Sequence, residues 1–255
     1  RRRRPGTVSF SARPLAARCG SAALCAMLAI GELHMPALPN DMVARGRQGV
    51  VVSCEPHATA VAIDVLRSGG NAVDAAVALA LALAVTHPQA GNLGGGGFMV
   101  VAMADGRTAA FDFRERAPAS AHQDMYLRAD GSVDADKAQY SATAAGVPGS
   151  PAGLLTALQK FGTKPLRELA APAIALARTG IPVDQFLAAS LRAERKALER
   201  FESTRRIFFK EGEPLQQGDL LVQGDLAGTL ERLAQDGAAG FYQGRTAELI
   251  VAQMQ

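Results

Sequence analysis

HPQAGNLGGGGFMVVAMADGRTAAFDFRERAP, residues His87 to Pro118, holds a run of glycines, two short apolar runs joined at Asp105-Gly106, and an arginine where the second run ends. Four consecutive glycines, Gly94 to Gly97, lose more backbone entropy on ordering than any other tetrapeptide. A folded chain keeps them where something comes too close for side chains to fit. Phosphate is the obvious visitor, and the neighbouring residues argue against it. A phosphate loop needs Lys and Ser or Thr directly after its glycines, and a dinucleotide loop needs G-x-G-x-x-G opening a helix. These glycines run instead into Phe98-Met99-Val100-Val101, a β-rich segment, so no helix N-terminus faces an anion. What remains is a loop crossing tightly over a packed layer.

Phe98 to Ala102 and Thr108 to Phe113 read as two strands, with Asp105-Gly106 as the hairpin signal between them. In the second strand Phe111 and Phe113 share one face and Asp112 takes the other. Arg114 is left at the strand's open end, beside Glu115, Arg116 and Pro118. A guanidinium there can reach into a cleft and hold a carboxylate with both prongs of its fork, which a lysine cannot do. Its other use is bland: a solvated surface charge, or a salt bridge to Glu115 or a more distant acid.

Working outward toward the N-terminus, Ala72 to Val85 is apolar on every face. It predicts a buried helix, too short to span a membrane. Asn71 can cap it, Asp74 suits its first turn, and His87-Pro88 stops it. Before it, Pro56 opens a helix running to Ser68, with Gly69-Gly70 as its left-handed cap. Gly49 to Ser53, GVVVS, reads as a buried strand with Cys54 at its end as a structural thiol. Toward the C-terminus, Met125 to Lys137 is polar and turn-like, and Ser141 to Val147 reads as a short strand before a Pro148-Gly149 turn. Helices are predicted over Pro151 to Phe161, Leu166 to Arg178, Val183 to Phe201, Leu226 to Gln235 and Thr246 to Gln255. Ile207 to Phe209 is a brief apolar run, and Leu220-Leu221-Val222 suits an edge strand. No repeats appear.

The 255 residues carry a formal charge of +3, but residues 1–37 hold six arginines and one glutamate, which leaves −2 for the rest. Basic residues up to Arg18 precede the apolar run Cys19 to Ile30, a pattern expected of a secretory signal. Residues 1–37 are therefore expected to be a targeting segment, and the mature chain periplasmic or secreted, without a stable membrane span. Residues 38–255 are long enough for one domain. No basic face with interleaved aromatics remains, so nucleic acid is not expected as a partner. With Cys19 and Cys25 in the leader, Cys54 is alone and has no internal disulfide partner. There is no paired-cysteine spacing and no HExxH, so no metal and no cofactor is expected.

GGNAVDAAVA (Gly69 to Ala78), THPQAGNLGGGGFM (Thr86 to Met99) and FDFRERAP (Phe111 to Pro118) resemble, in order and spacing, the N-terminal part of the large subunit of bacterial γ-glutamyltranspeptidases. GVPGSPAG (Gly146 to Gly153) and IFFKEGEPLQQGDLLVQ (Ile207 to Gln223) continue the likeness, which covers about Gly49 to the end. The resemblance implies an α+β fold, the four-layer αββα sandwich of N-terminal nucleophile hydrolases, of which residues 38–255 would be the N-terminal part of the large subunit. It also implies a precursor that cuts itself, exposing a threonine on a small subunit whose free amine acts as base for its own hydroxyl. The γ-glutamyl group of glutathione would pass to that threonine, then to water or to an amino acid or peptide.

The nucleophilic threonine is expected beyond Gln255, and these 255 residues alone are expected to be inactive. Cys54, exposed by cleavage after Ser53, would be a competing nucleophile, but the apolar run before it and Glu55-Pro56 after it favour a structural thiol. By resemblance Arg114 matches the arginine that grips the α-carboxylate of the γ-glutamyl donor, and Glu115 would orient it. The resemblance leaves two rivals: a related acylase acting on glutaryl or cephalosporin side chains, and a non-catalytic exported interaction domain.

Overall fold

The computed structural model describes residues 44–254, so the targeting segment predicted over residues 1–37, with Cys19 and Cys25, lies outside the described residues. Two helices open the described chain, α1 (Pro56–Arg67) and α2 (Ala72–Thr86), followed by the hairpin β1 (Phe98–Ala102) and β2 (Thr108–Asp112). Next come α3 (Ala135–Tyr140), a 3-10 turn at Ala142–Ala144, α4 (Ser150–Phe161), α5 (Leu166–Thr179) and the short β3 (Ile181–Pro182). Three short helices follow, α6 (Gln185–Ala193), α7 (Arg195–Leu198) and α8 (Glu202–Phe208). The hairpin β4 (Phe209–Lys210) and β5 (Glu213–Pro214) leads to β6 (Leu220–Leu221), and α9 (Gly224–Asp236), α10 (Ala239–Tyr242) and α11 (Gly244–Met254) close the chain.

The helix boundaries follow from local chemistry. Pro56 sits in the first turn of α1, where its missing N–H would have no partner anyway. Glu55 caps that helix, its carboxylate accepting from the N–H of His57 at 3.1 Å and of Ala58 at 2.7 Å. At the start of α2, Asn71 Oδ1 accepts from the N–H of Val73 and Asp74, and Asp74 Oδ2 accepts in return from the N–H of Asn71 at 2.8 Å. That reciprocal box satisfies donors the first turn cannot.

Helix α2 is the centre of the main core. Val77, Ala78, Leu81, Ala82 and Val85 are all but inaccessible, packed by α1, α5 and α4. Its alanines let those neighbours approach, and each fully buried valine or leucine stabilises by roughly 1.5–3 kcal/mol. Leu154 and Leu158 of α4, Leu169 and Ala173 of α5, and Leu230 and Leu233 of α9 complete the same core. A smaller cluster forms around Ile181, Val183, Leu187, Leu191, Leu215 and Leu221.

β1 and β2 pair antiparallel in the register Phe98 to Asp112 through Ala102 to Thr108. β3 pairs with β6, and β4 with β5, both antiparallel.

Several expectations are corrected. Gly49 to Ser53 forms no strand: Val50 is 50% and Val52 83% exposed, and no described residue pairs with this apolar run. Cys54 is exposed, not a buried structural thiol. Ser141 to Val147 is a 3-10 turn with one β-bridge, Val147 to Arg116, because Ser141 Oγ bonds Lys137 O and Thr143 Oγ1 and so satisfies the chain locally. The helix predicted over Val183 to Phe201 is broken into α6 and α7, with α8 beyond. An unbroken one would run about 28 Å in a line. Instead the turns at Glu194 and Phe201 bring Leu198, Ile207 and Phe208 back onto the smaller cluster. The polar stretch after Met125 ends in α3, capped by Asp134 Oδ1 at the N–H of Lys137.

Candidate functional site

The glycine loop and the arginine meet each other. A Cβ placed on Gly96 would lie 2.5 Å from the carbonyl oxygen of Phe113 and 2.7 Å from Cα of Arg114. None of Gly94 to Gly97 has a positive φ, so conformation is not the reason for them. The close approach demanded at the loop is made by this chain's own backbone, at the residue that carries the guanidinium. Nothing in the structure explains Gly94, which faces open space.

The far side is built the same way. A Cβ on Gly149 would sit 1.9 Å from Phe113 O, and one on Gly153 would strike the Phe113 ring. The N–H groups of Gly149 and Ser150 both donate to Gly95 O, at 2.8 and 2.9 Å, tying the start of α4 to the glycine loop. Between these two walls runs the segment Phe113 to Arg116. Phe113 N–H donates to Gly97 O at 3.0 Å, Arg116 N–H to Val147 O at 3.2 Å, and Val147 N–H back to Arg116 O at 2.8 Å. Arg114 is thus held by backbone on both sides, and its own N–H donates to Asp112 Oδ1 at 3.1 Å.

Arg114 is exposed and makes no ion pair among the described residues. It lines a cleft of about 430 Å³ with Asp112, Arg116, Pro148, Thr156 and Tyr242. Glu115 lies elsewhere. Neighbours in an extended chain point to opposite sides, and the Cβ of Glu115 packs at Gly146, outside the lining of the cleft. The structure records no bond from Glu115 to Arg114, and Asp112 is the carboxylate beside it. Thus of the two residues singled out from the sequence, Arg114 is at the cleft and Glu115 is not.

Asp112, Gly149 and Tyr242 belong to the site and were not singled out. Asp112 shares a strand face with Arg114, a signal that was readable. Tyr242 is far along the chain and carries no local signal. Its hydroxyl donates to Pro148 O at 2.8 Å and accepts from Ala152 N–H at 3.2 Å. Burial pushes the Tyr242 phenol above its ordinary pKa, which already keeps a tyrosine protonated and able to donate at neutral pH. Chemically the arrangement is a rigid cationic fork at the rim of an open cleft, suited to an anionic group with two coplanar oxygens. Among the described residues no group of three or more His, Cys, Asp or Glu converges as a metal would require, and no helix is long and apolar enough to cross a membrane.

Comparison with known proteins gives the chain's relatives. The family model described as Gamma-glutamyltranspeptidase matches residues 58–255. The glutathione hydrolase proenzyme of Escherichia coli (strain K12) is 51% identical over 212 residues, 83% of this chain and 37% of that protein. The chain therefore spans well under half the length of that relative. The crystal structure of Helicobacter pylori gamma-glutamyltranspeptidase superposes with a TM-score of 0.79 at 45% identity, covering 82% of this chain and 60% of that one. An acylase proenzyme, ACY 1 of Pseudomonas sp. (strain V22), is 35% identical over 217 residues, 83% of this chain and 39% of that protein. The α+β fold is that of these N-terminal nucleophile hydrolases.

Proposed function

Because the chain belongs to the γ-glutamyltranspeptidase family, we propose that the complete protein carrying it is a γ-glutamyltransferase and glutathione hydrolase. It passes the γ-glutamyl group of glutathione to a threonine hydroxyl and then to water or to an amino acid or peptide. The threonine comes from a small subunit released by self-cleavage. The observation that carries the reading is Arg114: exposed, without an ion-pair partner among the described residues, on a backbone clamped from both sides at a cleft.

The division of labour follows from the chemistry. Acyl transfer needs the scissile carbonyl held at a fixed distance from the nucleophile, and a misplacement of about 1 Å can cost on the order of 10²-fold in rate. The donor's α-carboxylate is several bonds from its γ-carbonyl, so gripping it with two parallel N–H···O bonds fixes the length and twist of the donor without touching the reacting atoms. Arg114 performs that grip. A free N-terminal amine on the threonine would take its own hydroxyl proton as the acyl bond forms and return it to the leaving amine.

The greater identity to glutathione hydrolases than to the acylase supports the glutamyl reading over the glutaryl one. The two donors differ at the α-amine, so the complete protein should turn over γ-glutamyl-p-nitroanilide faster than a glutaryl amide. The composition of residues 1–37 supports export to the periplasm or beyond.

Replacement of Arg114 by Lys in the complete protein tests the site. Losing one bidentate charge-assisted contact is worth about 1.5–3 kcal/mol, so KM for glutathione should rise about 10- to 100-fold while self-cleavage proceeds normally. An unchanged KM removes Arg114 from the site.

A further inference from the structure

One side chain in the cleft has a role that the carboxylate grip leaves unassigned. Tyr242 sits on α10, a four-residue helix, and its placement is unusually constrained for so short an element. A Cβ on Gly240 would lie 2.0 Å from Arg232 O, which presses α10 onto α9. Phe241 is 4% exposed, and its ring meets that of Tyr242 edge to face at 5.0 Å. The Tyr242 hydroxyl therefore arrives at the cleft from the packed core. There it holds two backbone groups of the wall: the carbonyl of Pro148 and the N–H of Ala152, one of the orphan donors in the first turn of α4. Gly149, which precedes α4, offers no side chain to cap it. The wall so held is the one bridged to Arg116 through Val147 and pressed against the carbonyl of Phe113 through Gly149.

We propose that Tyr242 is a positioning residue: by locking the Val147 to Ala152 wall against the Phe113 to Arg116 segment, its hydroxyl sets the direction from which Arg114 meets the donor's carboxylate. The proposal rests on the reading of Arg114 given above. Tyr242 need touch no substrate atom. Its effect passes through two backbone bonds and should fall on donor binding, not on the chemical step.

The test compares Tyr242→Phe, Phe241→Leu and Arg114→Lys in the complete, self-cleaved protein. The donors are γ-glutamyl-p-nitroanilide and its α-carboxamide analogue. For Tyr242→Phe, KM for the carboxylate donor should rise on the order of tenfold, the scale of one lost hydrogen bond, with kcat within about twofold. The preference for carboxylate over carboxamide should fall by the same factor. Phe241→Leu, which loosens α10 but keeps the hydroxyl, should lower the melting temperature and leave that preference in place. If Arg114→Lys raises KM and Tyr242→Phe does not, the proposal is overturned while the reading of Arg114 stands. If Arg114→Lys leaves KM unchanged, both fall together. A Tyr242→Phe protein that weakens both donors equally, loses kcat in proportion, or fails to fold and self-cleave shows a merely structural tyrosine and also overturns the proposal.

Discussion

The start of α2 and the Arg114 segment are both rigid, and they are made rigid by opposite means. Asp74, fully buried, spends every lone pair it has: Oδ1 accepts from the N–H of Thr163 at 2.8 Å and of Lys164 at 3.1 Å, and Oδ2 from Thr163 Oγ1 at 2.6 Å and Asn71 N–H at 2.8 Å. Around Phe113 to Glu115 the rigidity comes from missing side chains, with glycines on two walls letting backbone lie on backbone. A charge used for structure is consumed by it. A charge mounted on a segment held by its backbone is left over for a ligand, and Arg114 is such a charge.

The largest effect should come from Asp74→Ala. It leaves three part-buried N–H groups and the Thr163 hydroxyl without their acceptor, so it should destabilise the protein by about 2–4 kcal/mol, read as a fall in melting temperature, with donor KM in the surviving folded fraction nearly unchanged. The same carboxylate fixes a pH dependence. Burial pushes its pKa up, but the bonds from Thr163, Asn71 and Lys164 outweigh that and hold it below the ordinary value. A group whose folded pKa is depressed adds stability in full above its unfolded value, near about 3.9. That stability is lost as pH falls through the folded value. Melting curves taken from about pH 5 downward should show this loss in the native protein and a flatter acid limb in Asp74→Asn.

Gly149→Ala should come next, and its signature should be reversed. A methyl 1.9 Å from Phe113 O forces backbone apart. The stability cost should be about 1–3 kcal/mol, while the KM of the complete protein for its γ-glutamyl donor should rise sharply as the arginine is displaced. If Gly149→Ala cost as much stability as Asp74→Ala and left KM alone, the contrast between the two regions would be gone. Glu211→Asn gives the smallest effect and serves as a reference outside both. Glu211 has φ +54 in the β4–β5 turn, a conformation that asparagine tolerates better. A gain of about 0.5–1 kcal/mol should appear, roughly 1–4 °C in melting temperature, with kinetics unchanged.

The same contrast explains what could be read in advance. Helix ends were legible because their causes are local: Pro56, and the Asn71-Asp74 pair three residues apart. The β1–β2 hairpin was legible from alternation and one turn. Arg114 was reachable from its place at a strand end, and the family resemblance gave it a ligand. The partner of the glycine loop lies some twenty residues on, Gly149 more than fifty, and Tyr242 nearly one hundred and fifty. Nothing in the periodicity of the chain announces such meetings. The break between α6 and α7 was hidden for a related reason: Leu187 and Leu198 suit one continuous amphipathic face, and only the demand of a shared cluster bends the chain between them.

Asp74 meets Thr163 and Lys164 across almost ninety residues, and Asn71 Nδ2 reinforces the junction by donating to Phe161 O at 2.6 Å. The interval from Ala75 to Gly162 is therefore a noose knotted at a single carboxylate, and the hairpin, the arginine and α4 all hang inside it. Lengthening such a noose adds little closing entropy, since the penalty grows only with the logarithm of its length. Evolution could therefore enlarge or trim the exposed run around Asp130-Gly131 without loosening the knot, which makes that run the natural place for a graft or a cleavable insert.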